Sequence, residues 1–142
     1  MRSLVPPKLL LPDDSADILI SVEAANNYFS SAFAAEIFRC LKSGGVLVMA
    51  DCPLAPFEVQ RLNISATLEV AGLKVENFNN ITSSVVESCR QGTPRKMALI
   101  GWMPQWIRRE FLDMLCCDPS PKLDSFLEGR RAYYLLRAVK HV

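Results

Sequence analysis

The chain has 142 residues, a length that is most simply one domain, and half of its residues are apolar while 22% are charged. The formal net charge of +1 gives no electrostatic reason to expect nucleic acid or an anionic membrane as a partner, and no apolar run approaches the ~20 residues that span a bilayer. Five cysteines without C-x-x-C spacing and a single histidine next to the C-terminus favour a reduced, cytoplasmic protein without a metal site.

The first half of the chain predicts two strands around one helix. Residues 1–12 are expected to be irregular because three prolines interrupt them. Residues 17–23 are almost continuously apolar, which is typical of a strand in a parallel sheet that is covered on both faces. Residues 31–42 repeat apolar side chains at three- and four-residue spacing and predict a helix, which Gly44-Gly45 should end in a left-handed turn. Residues 46–50 then read as a second buried strand.

The second half predicts a helix, a strand, a helical region and a closing strand. A helix is expected to follow Pro56, with Gly72 near its end. Its apolar face is predicted at Val59, Leu62, Ala66, Val70 and Leu73. Residues 74–78 read as a strand, residues 82–128 as helical segments with loops, and residues 132–139 as the last strand. This alternation predicts the α/β class.

Five segments in this order resemble the class I S-adenosylmethionine (SAM)-dependent methyltransferases of the type 11 kind. They are LLLPDDSAD (9–17), DILISVEAANNY (17–28), LKSGGVLVMAD (41–51), AGLKVENFNNIT (71–82) and YYLLRAVK (133–140). The resemblance covers only the C-terminal half of the family's domain, here residues 13–142. It implies a partial Rossmann-like sheet with the family's strands 4, 5, 6 and 7, and a helical insertion at about residues 82–130.

The family resemblance implies methyl transfer from SAM to a small-molecule or lipid-type acceptor, without a metal. The glycine-rich SAM loop that follows the family's first strand has no counterpart in this sequence, so a truncated form is expected, and the activity of this chain alone stays open. The alternative is a catalytically silent, methyltransferase-like interaction subunit or truncated isoform that pairs with another chain. A nucleotide-binding reductase is disfavoured because the chain has no glycine fingerprint.

The turn after the first predicted strand carries most of the candidate site. In the resembling family this turn lies beside the methionine part of SAM and the incoming substrate. The resemblance therefore makes Glu23, Ala24 and Asn26 cofactor-binding candidates, and Tyr28 a substrate-binding candidate. Glu23 is also the candidate catalytic residue, because it is the only acid placed to accept a proton from the acceptor. The competing interpretation is that Glu23 only satisfies backbone donors of the turn.

Three further substrate-binding candidates lie outside that turn. Asp51 ends the next predicted strand and should face the same rim, although an Asp before Pro53 is also a common turn residue. Trp102 and Trp106 are candidates for a lid over an apolar acceptor, although aromatic residues at helical spacing more often belong to the core.

The partner hypothesis follows from the expected strand order. The family's sheet runs 3-2-1-4-5-7-6, so without strands 1 to 3 the strand of residues 17–23 becomes an edge with unpaired backbone groups. Self-association, or a partner chain that covers this strand, is therefore expected, and neither nucleic acid nor a membrane span is.

Overall fold

The four strands form one mixed sheet. The computed structural model describes residues 8–25 and 29–141. The strands are β1 (Ala16–Val22), β2 (Leu41–Asp51), β3 (Leu73–Asn80) and β4 (Tyr134–Lys140). Their order in the sheet is β1-β2-β4-β3, with β1 parallel to β2 and with β4 antiparallel to both β2 and β3. This is the predicted order 4-5-7-6, and β1 lies at an edge of the sheet, as predicted.

Five helices connect the strands. They are α1 (Ser31–Cys40), α2 (Phe57–Val70), α3 (Thr82–Ile100), α4 (Gln105–Met114) and α5 (Pro121–Leu127). The side chain of Ser30 caps α1 and that of Ser120 caps α5, each by accepting a backbone N–H bond. The last three helices follow one another between β3 and β4, where the sequence predicts a helical insertion. No helix of the described part is long and apolar enough to cross a membrane.

The end of α1 corrects one sequence prediction. The helix ends at Cys40, and Leu41 is already extended (φ −72°, ψ 137°), so the two glycines do not stop the helix. They lie instead in a bulge, where four residues of β2 oppose one residue of β1. Gly44 has a φ of +76°, and a Cβ on Gly45 would lie 2.8 Å from the carbonyl oxygen of Lys42. Both glycines are therefore needed to start β2 and not to end α1.

The buried face of α2 corrects a second prediction. The residues that face the core are Gln60, Ile64 and Leu68. Of the predicted apolar face, Leu73 is buried but belongs to β3, whereas the four helical members Val59, Leu62, Ala66 and Val70 are exposed. The Nε2 atom of Gln60 lies 2.6–3.2 Å from three carbonyl oxygens. These belong to Pro53, Ala55 and Ala132. A buried polar group must find such partners, so Gln60 determines how the helix is rotated.

The two faces of the sheet are covered to different extents. Helices α1 and α2 pack on one face, where Leu47, Met49 and Leu136 belong to the main core and are almost fully buried. On the other face, Ile18, Ile20 and Val22 of β1 are 60%, 71% and 59% exposed. We call this second side of the sheet the bare face. Helices α3 and α5 cover only its end, around Cys52 and Tyr133.

Candidate active site

The candidate site is a cleft at the carboxyl ends of β1 and β2, the edge at which open α/β sheets bind ligands. It has a volume of about 280 Å³. Helices α3 and α5 form its far side. The residues that line it are Glu23, Cys52, Val85, Cys89, Lys96, Met114, Leu115, Cys116, Lys122, Phe126 and Tyr133.

Glu23 is the residue that links β1 to this cleft. Its backbone N–H donates to the carbonyl oxygen of Ala50 (2.9 Å), and its φ of +49° lies in the left-handed region, which a non-glycine residue rarely adopts. The carboxylate Oε1 accepts a hydrogen bond of 2.8 Å from the phenol of Tyr133. Such unusual backbone conformations are most often found at functional sites.

Tyr133 is held firmly in place. Its N–H donates to the hydroxyl of Thr82 (2.8 Å), and its carbonyl oxygen accepts from the N–H of Ile81 (2.9 Å). Burial raises the pKa of the Tyr133 phenol, and the hydrogen bond to Glu23 raises it further. The phenol therefore stays protonated at neutral pH and can serve as a donor, while Glu23 is the acceptor of the pair.

Three thiols form much of the cleft wall. Cys52, Cys89 and Cys116 are free, and burial raises the pKa of Cys116 to about 12, with a hydrogen bond to Cys89 as the second cause. Burial also raises the pKa of Cys52. Cys52 and Cys116 are therefore neutral at physiological pH and behave as small apolar groups. Within the described residues, no group of three or more His, Cys, Asp or Glu could hold a metal ion.

Two lysines add positive charge to the cleft. The ammonium of Lys96 donates to the carbonyl oxygen of Leu115 (2.8 Å), which places it on the side formed by α3. Lys122 lines the cleft from α5, near Cys52 and Cys116. With Glu23 and Tyr133, the cleft therefore offers one anion, one neutral donor and two cations around an apolar wall.

The remaining candidates from the sequence lie in several places. Asp51 is buried and accepts a hydrogen bond from the N–H of Cys52 (2.7 Å), in agreement with its alternative role as a turn residue. Ala24 lines a separate pocket of about 340 Å³ at the β1 edge, together with Leu9 and Phe33. Asn26 and Tyr28 lie outside the described residues.

The tryptophans are neither core residues nor part of the cleft wall. Trp102 and Trp106 are 79% and 76% exposed. Trp106 lines a separate groove between α3 and α4, together with Met97 and Arg109. The interpretation of the tryptophans as core is therefore wrong, and their role as a lid remains a prediction.

Sequence reasoning missed Tyr133 and the two lysines. Tyr133 is 110 residues away from Glu23 along the chain. One indication was available, because a strand that runs antiparallel to β2 begins where β2 ends. The predicted strand order therefore placed the start of β4 at the rim of the site. The positions of the two lysines in the cleft depend on how α3 and α5 pack, and the sequence contains no comparable indication of that packing.

The fold is shared with SAM-dependent methyltransferases of known structure. Phosphoethanolamine N-methyltransferase 2 from Haemonchus contortus matches with a TM-score of 0.75 and 15% identity, over 93% of this chain and 35% of that protein. Geranyl diphosphate C-methyltransferase from Streptomyces coelicolor matches with a TM-score of 0.64 and 13% identity, over 92% and 49%. The [4+2]-cyclase SpnF matches with a TM-score of 0.61 and 16% identity, over 94% and 53%.

These likenesses establish the fold and not the reaction, since one fold supports different chemistries. The chain spans between a third and just over half of the length of these structures. No protein-family model matches the sequence, and no curated protein does. The fold of this chain is therefore the one found in SAM-dependent methyltransferases.

The described residues do not form a complete site for SAM. Close approach of the backbone to such a cofactor normally requires a glycine-rich turn after a strand. All six glycines lie elsewhere: in the β2 bulge, before β3, within α3, and after α3 and α5. Among the described residues, Glu23 is the one carboxylate that lines the cleft.

Proposed function

We propose that this chain provides the acceptor-binding side of a SAM-dependent methyltransferase site. The acceptor is a small molecule or a lipid-type molecule. The observation that carries the proposal is the Glu23–Tyr133 pair, which lies at the ligand-binding edge of a methyltransferase-type sheet. The free thiols among the described residues support placement of the protein in the cytoplasm.

In methyl transfer, bound SAM supplies a sulfonium methyl group that the acceptor's nucleophile attacks in line. The chain's own part is to hold the acceptor and remove its proton. Glu23 can accept that proton on Oε2, because the hydrogen bond from Tyr133 uses only Oε1. Tyr133 orients the carboxylate, and the thiols and Phe126 exclude water from the cleft.

A second chain that pairs with β1 would complete the cofactor side. Within residues 8–25 and 29–141, no strand pairs with the outer edge of β1, and the apolar side chains on the bare face beside it are exposed, which supports this part of the proposal. Crossovers between parallel strands are right-handed, and α1 lies on the covered face. Strands added beyond β1 by the same kind of crossover would therefore bring their helices onto the bare face. A partner built from β-α-β units would pair with the open edge of β1 and would cover the bare face at the same time.

The alternative is a catalytically silent interaction subunit. The observation that favours it is the missing glycine cradle, since a chain that only binds a partner needs the edge and the bare face but not the cleft. Under this alternative, Glu23 simply supports the turn after β1, and the partner carries any activity. Self-association through β1 is the variant in which the partner is a second copy.

The proposals can be separated with the tagged protein isolated from its native cells and assayed with methyl-labelled SAM. Ile20→Lys should remove the partner and the activity. Glu23→Gln should keep the partner and lower methyl transfer by about 10²- to 10⁴-fold, the usual contribution of a general base. Val59→Lys, an exposed change on α2, serves as the control. Unchanged activity in Glu23→Gln would contradict the first proposal and support the silent subunit.

Two measurements on the isolated chain add to this test. Calorimetric titration of SAM should give no saturable heat, because the cradle is incomplete. Saturable micromolar binding to the monomer would show that no partner is needed. Sedimentation velocity across a concentration series distinguishes a monomer, which requires a different partner chain, from a species that self-associates.

A further inference from the structure

The junction between α3 and α4 exposes large apolar side chains at the surface. We call residues 97–109 the Trp tip. It contains the last turn of α3, the loop from Gly101 to Pro104 and the first turn of α4. Leu99 is 67% exposed, and both tryptophans are more than three-quarters exposed. Clustered exposed apolar side chains of this size mark an interaction surface, in contrast to scattered single ones.

The charge around the Trp tip is strongly positive, although the whole chain is nearly neutral. Residues 91–109 contain Arg95, Lys96, Arg108 and Arg109 and no Asp or Glu. Because the ammonium of Lys96 lies in the cleft, three of these cations remain at the Trp tip, and Glu110 follows the last of them. No ion pair found in the described part of the chain involves Arg95, Arg108 or Arg109. The overall charge therefore concealed a local basic surface.

The loop of the Trp tip is held in shape by one of these arginines. The Nη2 atom of Arg108 donates to the carbonyl oxygens of Gly101 (2.8 Å) and Met103 (2.7 Å). Arg109 and Trp106 line a groove of about 660 Å³ beside α4. None of the residues of α4 is fully buried. The helix therefore presents its side chains outward on a braced loop.

We propose that the Trp tip binds the surface of a bilayer that contains anionic phospholipids. Indole rings favour the boundary between headgroups and acyl chains, because one end is apolar and the other carries an N–H donor. Arginines flanking such rings attract anionic headgroups, as in helices that lie in the membrane interface. The chain would bind at the surface without crossing the bilayer. This inference does not depend on the proposed methyl transfer.

The two tryptophans are the only ones in the chain, so tryptophan emission, excited selectively so that the three tyrosines do not contribute, reports on the Trp tip alone. The protein is titrated with vesicles of phosphatidylcholine, and with vesicles that also contain phosphatidylserine. The expected result is a blue shift of the emission and at least tenfold stronger partitioning into the anionic vesicles, weakened by salt. Adhesion of the bare face to vesicles would leave the emission unchanged.

Charge variants test the electrostatic part. Arg95→Gln with Arg109→Gln should weaken binding to anionic vesicles by about 10- to 30-fold, since each cation near such a surface contributes about fivefold. The matched control is Arg61→Gln with Arg130→Gln, which removes the same charge elsewhere and should leave binding unchanged. Circular dichroism of each variant checks the fold.

Three outcomes would overturn the proposal. One is an emission spectrum that does not respond to anionic vesicles. Another is equal binding by both double variants. The third is an emission shift that follows protein concentration without vesicles, which would identify the Trp tip as a contact between proteins.

Discussion

The two faces of the same sheet have similar apolar sequences but different surroundings. Along β4, Leu135 points to the bare face and is 37% exposed, while its neighbour Leu136 points to the covered face and is fully buried. Along β1, the exposed Ile20 lies next to Leu19, which packs against the main core. A continuously apolar strand therefore indicates that both faces of the sheet can be buried. Whether both faces are buried depends on which elements pack against them.

The largest effect should come from truncating Leu136, with the truncation of Leu135 as its comparison. Leu136→Ala should lower the free energy of unfolding by about 2–5 kcal/mol, because it leaves a cavity between the sheet and the helices. Leu135→Ala should lower it by clearly less, because Leu135 is 37% exposed and the space left by the truncation would be open to solvent. Urea denaturation with unchanged slopes would measure both values. Equal losses would show that the bare face is buried in solution.

A smaller effect is expected from the residue that orients α2 on the covered face. Gln60→Ala should lower the free energy of unfolding by about 1–3 kcal/mol, because one buried and two partly buried carbonyl groups lose their shared donor. Leu62→Ala removes a larger apolar side chain from the predicted face, yet should change stability by less than about 0.5 kcal/mol. The reverse ranking in thermal denaturation would mean that the helix is rotated towards the predicted face.

The smallest effect concerns pH and the adjacent residues Tyr133 and Tyr134, which point to opposite faces. Burial is the main cause that raises the pKa of both phenols, and only that of Tyr133 is also raised by a hydrogen bond to Glu23. Because the folded pKa lies above the unfolded value of about 10, this stabilisation is complete below pH 10 and is lost as the pH rises through the folded pKa.

Glu23→Gln should therefore lower the pKa of Tyr133. With Tyr28→Phe and Tyr134→Phe, Tyr133 is the only tyrosine left, and its tyrosinate absorbance can be followed directly. Glu58→Gln, a carboxylate change on α2, should leave the titration midpoint where it was. A midpoint that is equally insensitive to Glu23→Gln would show that the two side chains are not hydrogen-bonded in solution.

The sheet could be predicted from the sequence because its strands are short, apolar and well separated. Their order came from the resemblance and agrees with the structure. The rotation of the helices about their axes could not be predicted as well from the sequence. Gln60 is a polar residue with buried carbonyl partners, one of them 72 residues away, and local periodicity contains no information about such a contact. Gly44 and Gly45 were correctly recognised as special backbone positions but were assigned to the wrong element.

The candidate site was predicted only in part, for a similar reason. Glu23 follows directly from the strand that precedes it. Its partner Tyr133 depends on the return of β4, and the walls contributed by α3 and α5 depend on contacts far apart in sequence. The tryptophans were interpreted by their size and spacing, which cannot distinguish a core side chain from one that points to solvent.

The bare face also limits the concentration of this protein that a cell can tolerate. An open strand edge with apolar side chains is a template for unwanted pairing, and its danger grows with concentration. Copies made beyond the supply of a covering partner would be directed to chaperones and proteases. If the partner proposed above covers β1, the abundance of this chain should follow the abundance of that partner.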